Sequence, residues 1–142
     1  MSKTKPKLVC GFTILELMMS IAIIAILTSV ILVTISGIKE RGRDVRRLSD
    51  VNEIQKALNL YFSSHNVFPV FPVEVKLTGE DAFSELLKNE GFISKAPTDP
   101  MPSYGAYTYQ SNTGGTNYFL GFCMETDTVS RYTKGCTNTV AP

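Results

Sequence analysis

Between Glu16 and Lys39 the chain carries no formal charge. The intervening stretch, Leu17 to Ile38, is almost wholly apolar, and it constrains everything else the chain can fold into. About 20 residues rising about 1.5 Å each match a hydrocarbon core about 30 Å thick. Ahead of the run lie Lys3, Lys5 and Lys7 and no acid. Positive residues before an apolar run hold that end in the cytoplasm. One carboxylate, Glu16, stands at the start of the run, where an ionised and unpaired group is costly in hydrocarbon.

An ordinary secretory signal would be cut after its apolar run, beside small residues such as Ser36 and Gly37. Here the run is too long for that, and a periodic pattern continues past it. A plain uncleaved anchor is the simpler reading, but it has no use for Glu16. An assembly of packed helices does, because Glu16 can pair with a positive group on a neighbour. An α-amino terminus created by cleavage just upstream would supply that group.

Lys7-Leu8-Val9-Cys10-Gly11 followed by Phe12-Thr13-Ile14-Leu15-Glu16-Leu17-Met18 resembles the class III signal of type IV pilins and the pseudopilins of type II secretion. The resemblance implies a leader, residues 1–11, removed after Gly11 by a membrane prepilin peptidase. It implies N-methylation of Phe12 as the new terminus, with Glu16 as the assembly carboxylate. The apolar run then stays in the mature protein, at 12–38, with an extracytoplasmic head at 39–142. The match covers roughly the first 65 residues. Many members of the family carry a proline in the run, and this chain has none between Phe12 and Phe68. Any loosening of the helix would fall to Gly37, or to Thr28, Ser29, Thr34 and Ser36, which are weaker helix formers.

The chain has 142 residues, 14 basic and 13 acidic, for a net charge of +1. Loss of the leader lysines turns the remainder slightly acidic, which gives no bulk sign of a nucleic-acid protein. Whether DNA binds is left open. With so much of the chain in one helix, only one modest globular unit is possible. Of the three cysteines, Cys10 falls in the leader. Lipidation there would need an apolar stretch before it, and only Leu8 and Val9 precede it. Cys123 and Cys136 read as a disulfide in an oxidising compartment, worth about 3 kcal/mol in the chain-entropy model. Two free buried thiols are the alternative.

Beyond Lys39 the spacing predicts that the helix continues to about Ser64. Val45, Leu48, Val51, Ile54, Leu58 and Tyr61 recur at three or four residues, the stripe of an amphipathic helix. Arg41, Arg43, Asp44, Arg46, Arg47, Asp50, Glu53 and Lys56 take the other faces. The cluster Arg41, Arg43, Arg46 and Arg47 lies just past the span. Lipid headgroups are one contact for it, against the usual charge bias on the extracytoplasmic side. Two further readings stand side by side: pairing between subunits of a filament, with Asp44, Asp50 and Glu53 in reach, or a solvated face. Pro69 and Pro72 end the helix and force an extended connector. His65 reads as a helix-end residue facing water. A short helix should follow Thr78–Asp81, burying Phe83, Leu86 and Leu87 and stopping at Gly91. Strands are expected over 104–110, 117–125 and 129–134, with Tyr107 and Tyr109 on one face and Tyr118, Leu120 and Phe122 on one face. The fold class is α+β: a long N-terminal helix whose second half packs under a small antiparallel sheet.

No nucleophile–base pair, phosphate loop, carboxylate dyad or metal-ligand cluster is recognisable, so no enzyme is expected. The Pro97-Thr98-Asp99-Pro100 stretch resembles one in pseudopilins, some of which bind calcium in nearby loops. Asp99 alone falls far short of the roughly six to eight oxygens calcium takes, and no cofactor is expected. The implied partners are other copies and other pilins, the prepilin peptidase, assembly-platform proteins and the inner membrane. The resemblance of the proline stretch and strands leans to a pseudopilin of a short periplasmic filament. The C-terminal cysteine loop leans to a surface pilin for adhesion, motility or DNA uptake, the reading preferred on sequence. In either, Glu16→Ala should leave membrane insertion intact and impair assembly. Fractionation with filament yield measures both, and normal filaments would remove the register role of Glu16.

Overall fold

The computed structural model describes residues 11–142, the side chains of residues 30–34 excepted. The leader lysines, Cys10 and the Thr34 side chain lie outside the described residues. The chain forms helix α1 (Ile14–His65), strand β1 (Val75–Lys76), helix α2 (Ala82–Asn89) and strands β2 (Thr108–Ser111), β3 (Tyr118–Met124) and β4 (Gly135–Val140). It divides into two compact units between Gly37 and Ile38. Among the described residues no helix is long and apolar enough to cross a membrane. The charge-free run read from the sequence passes through residues 30–34, whose side chains are not described.

In the first unit, α1 opens with Thr13 as its cap: Oγ1 accepts the Glu16 N–H at 3.3 Å and the Thr13 carbonyl accepts the Leu17 N–H at 3.1 Å. Three hydroxyls of this half bond back to their own helix, Ser20 to Glu16 O at 2.7 Å, Thr28 to Ile24 O at 2.6 Å and Ser29 to Ile26 O at 2.8 Å. Such back-bonding leaves few polar groups facing outward.

In the second unit the sheet is a meander, ordered β1-β2-β3-β4, with every pair antiparallel. Tyr109 faces Leu120 and Ser111 faces Tyr118 across β2 and β3. Alternation along β3 turns Tyr118, Leu120 and Phe122 inward and leaves Phe119 53% exposed. The inward face meets Val51, Ile54 and Leu58 of α1, with Phe83 and Leu87 of α2 beside them. Phe83 stacks on Tyr109 at 4.2 Å, and Phe68 meets Tyr118 edge-on at 4.8 Å. Fully burying such side chains contributes about 1.5–3 kcal/mol each. This is the α+β arrangement expected, with the sheet packed on the second half of α1.

α1 ends where Asn66 turns left-handed, φ 59°. His65 is exposed, stacks on Tyr61 and lies 3.3 Å from Glu90. At the β2–β3 turn Gly115 has φ +62°, and a Cβ there would sit 2.7 Å from Phe68 O. The turn therefore closes on the connector, and the Phe68 N–H donates to Gly115 O at 2.7 Å.

Three expectations are corrected. Residues 129–134 form no strand: Tyr132 folds onto Phe122 at 4.9 Å, and the Asn138 side chain pins Thr133. The last strand is β4, which the sequence reading left as a tail. Val45 is 65% exposed, while Asp44 and Arg47 are buried. The buried stripe is 44-47-51-54-58, spaced three and four, and its first two members are charged.

α2 is capped by Asp81, whose carboxylate accepts the Ser84 N–H and Oγ–H at 2.9 and 2.7 Å and the Thr78 N–H at 2.8 Å. Asp81→Ala should cost about 1–2 kcal/mol, and Asp81→Asn distinctly less. Thermal unfolding of the purified chain in detergent measures the difference.

Candidate processing and assembly site

The residues singled out from the sequence occupy two places. Gly11, Phe12 and Glu16 stand together at the entry to α1. Nothing lies within 4 Å of a Cβ built on Gly11, and Phe12 is 76% exposed. Both residues stand ahead of the Thr13 cap, before the first turn of α1. Glu16 sits exposed in the first turn of the helix, where a carboxylate complements the positive end of the helix dipole. The side chains that follow are at least half exposed, from Ile14 at 78% and Leu15 at 79% to Ile23 at 50% and Leu27 at 59%. An apolar surface of that extent is untenable in water. It calls for lipid or for the same helix from other copies.

Cys123 and Cys136 occupy the second unit, bonded to each other across β3 and β4 with S–S 2.05 Å. Gly105 lies against the bridge: a Cβ there would come within 2.1 Å of Cys123 Sγ. Only glycine lets the 104–106 segment lie so close to the sulfurs.

The sequence reading missed the most organised polar group in the molecule. Arg47 is fully buried on α1. Its Nε and Nη2 donate to the two oxygens of Asp99, at 2.7 and 3.0 Å. Its Nη1 donates to Asp44 Oδ1 at 2.9 Å and Glu125 Oε1 at 2.6 Å. Arg43 takes the outer side of Glu125, with Nε 2.7 Å from Oε1 and Nη2 on Oε2. The remaining carboxylate capacity is filled by backbone and hydroxyl donors. Asp44 accepts the Glu125 and Thr126 N–H groups, both at 2.9 Å, and the Thr126 hydroxyl at 2.7 Å; Asp99 accepts the Met101 N–H at 2.7 Å. No buried side-chain nitrogen or oxygen among the described residues lacks a partner. The Arg47 guanidinium also lies 5.6 Å from the Tyr104 ring centre.

The inter-subunit and solvated-face readings of this charged cluster therefore fail for Asp44, Arg43 and Arg47. They form a clamp within one chain, tying α1 to the end of β3 and to the proline-flanked turn at Asp99. Burial alone would lower the Arg47 pKa, but the bonds to Asp99 and Glu125 more than offset it and raise it. Glu125 is pulled down to about 2, chiefly by the Arg43 hydrogen bond and, against burial, by Arg47. Asp99 is thus committed to a guanidinium. Among the described residues no group of three or more potential ligands could hold a metal ion.

Residues 7–32 match the prokaryotic N-terminal methylation motif. The type II secretion system core protein G of Escherichia coli (strain K12) is 31% identical over 94 residues, 63% of this chain and 65% of that protein. The protein of the same name from Aeromonas hydrophila is 30% identical over 94 residues, 63% of this chain and 66% of that protein. That of Vibrio cholerae serotype O1 is 25% identical over 112 residues, 77% of each. The chain thus spans just under two thirds of the first two relatives. No solved structure matches it. The motif and the relatives both support the resemblance to type IV pilins and type II secretion pseudopilins read from the sequence.

Arg47→Met, which strands Asp44 and Asp99, should cost about 3–5 kcal/mol. Urea unfolding measures it. Because the Glu125 pKa falls from 4.5 to about 2 on folding, its stabilisation is complete above about pH 4.5 and is lost as pH drops towards 2. Glu125→Gln should flatten that limb of the stability–pH curve.

Proposed function

We infer that this chain is a pseudopilin-type subunit of a type II secretion apparatus. It is cut between Gly11 and Phe12, methylated on Phe12, and held in the cytoplasmic membrane by its first helix with the N-terminus inside. It then assembles through that helix into a short periplasmic filament. The observation that carries this is the exposed apolar half of α1 led by Gly11-Phe12 and Glu16, joined in one chain to a head with its own closed core. The relatives named above all bear a type II secretion name, which favours this reading over the surface pilin preferred on sequence. The Cys123–Cys136 bridge is the feature on the pilin side. It serves either filament, because both heads lie in an oxidising space.

The role is structural. The partners it calls for are further copies, other pseudopilins, the prepilin peptidase and the assembly platform; nothing here calls for DNA. It needs no cofactor, and calcium at Asp99 would have to displace Arg47. Deleting the gene in its host should trap normally secreted enzymes in the periplasm, and long sheared fibres should lack the protein. Normal secretion, with the protein abundant in long sheared fibres, would overturn the assignment in favour of a surface pilus.

A further inference from the structure

The residues just beyond the charge-free run are strongly basic: Lys39, Arg41, Arg43, Arg46 and Arg47 against Glu40 and Asp44. The clamp sorts these charges by depth. Asp44 is turned into the interior and Arg47 is consumed there with Arg43 against Asp44, Asp99 and Glu125. What stays outside is mainly cationic. Lys39 and Arg41 are exposed and have no ion-pair partner among the described residues. Arg46 is 64% exposed and only 3.9 Å from Asp50. The acids beside them are half-buried Glu40, with Asp50 and exposed Glu53 near Arg46.

The Asp99 turn, fixed to Arg47, carries Tyr104, whose hydroxyl donates to Met124 O at 3.0 Å and whose ring faces the Arg47 guanidinium at 5.6 Å. This side of the unit is therefore taken up by the clamp and leaves the exposed cations on α1 unpaired by it. Cations on the extracytoplasmic flank of a span oppose the usual charge bias, so their presence calls for a use.

We propose that Lys39, Arg41 and Arg46 form a cationic foot that attracts anionic phospholipid headgroups of the outer leaflet while the subunit waits in the membrane. Lys39 and Arg41 fall within about 5 Å of Ile38 along the helix axis, inside a headgroup layer about 5–8 Å deep. Arg46 is about 12 Å on, with its Nε 3.9 Å from Asp50 one turn further along, so it adds charge to the foot rather than a direct headgroup contact. The foot rests on the membrane residence in the reading above.

The test uses the purified full-length chain in mild detergent, offered equal phosphatidylglycerol and phosphatidylcholine, with retained lipid read by native mass spectrometry. The wild type should retain phosphatidylglycerol about tenfold over phosphatidylcholine, given the attraction of each juxtamembrane cation. The Lys39→Gln/Arg41→Gln/Arg46→Gln variant should fall to within about twofold. Both carry the same N-terminus, so leader lysines cancel. Equal retention by the wild type overturns the proposal, as does a triple variant that keeps the preference. The three side chains are exposed and outside the clamp, so the variant should unfold at the wild-type temperature; if it does not, the Lys39→Gln/Arg41→Gln variant carries the same comparison. Neither result depends on secretion or filament formation, so failure of the foot leaves the pseudopilin reading to its own test.

Discussion

A buried guanidinium holds the head of this protein to its helix. Arg47 has no access to water and meets three carboxylates, one from its own helix, one from the proline-flanked turn and one from the end of β3. An apolar contact of similar area would hold those elements together but would tolerate sliding. A planar fork with several fixed acceptors does not. Buried ion pairs are weak contributors to stability as such, since desolvation offsets their attraction. Their use here is registry: they fix which residues of α1 lie under which end of the sheet. A filament subunit needs that fixity, because any force on its helix must reach the head without the two slipping.

The two halves of the helix solve opposite problems. The second half buries Val51, Ile54 and Leu58 under the sheet and keeps its acids inside the clamp or in water. In the first half Ser20, Thr28 and Ser29 spend their hydroxyls on their own backbone, and the large apolar side chains among its described residues are exposed. Such a helix is equally at home in lipid and among copies of itself, and exchange between those two solvents is what assembly from a membrane requires. Glu16 is the exception in that surface, and its placement in the first turn leaves it available to a positive partner.

Much of this was legible in the sequence, and the failures have a common cause. The charge-free run and the N-terminal methylation motif carry their meaning in one dimension, so no tertiary contact was needed to read them. The Tyr107–Tyr109 and Tyr118–Leu120–Phe122 faces followed from the period of a strand. The clamp was invisible because the stripe was sought among apolar residues only. Asp44 and Arg47 keep the spacing of Val51, Ile54 and Leu58, and that phase was the available signal. Asp99 and Glu125 gave no local sign of where they would go, since their partner lies far away in sequence. The last strand was placed too early because Val129 and Tyr132 look like strand residues; they serve as a cover for Phe122 instead.

The account stands on the claim that the chain is processed at Gly11 and retained through the helix that follows. Mass spectrometry of the N-terminal peptide from the membrane fraction tests this directly. A chain beginning at N-methylated Phe12 is the result the account predicts. A chain that still begins at Met1, in a host that possesses the peptidase, would contradict it and leave a simple anchor with no use for Glu16.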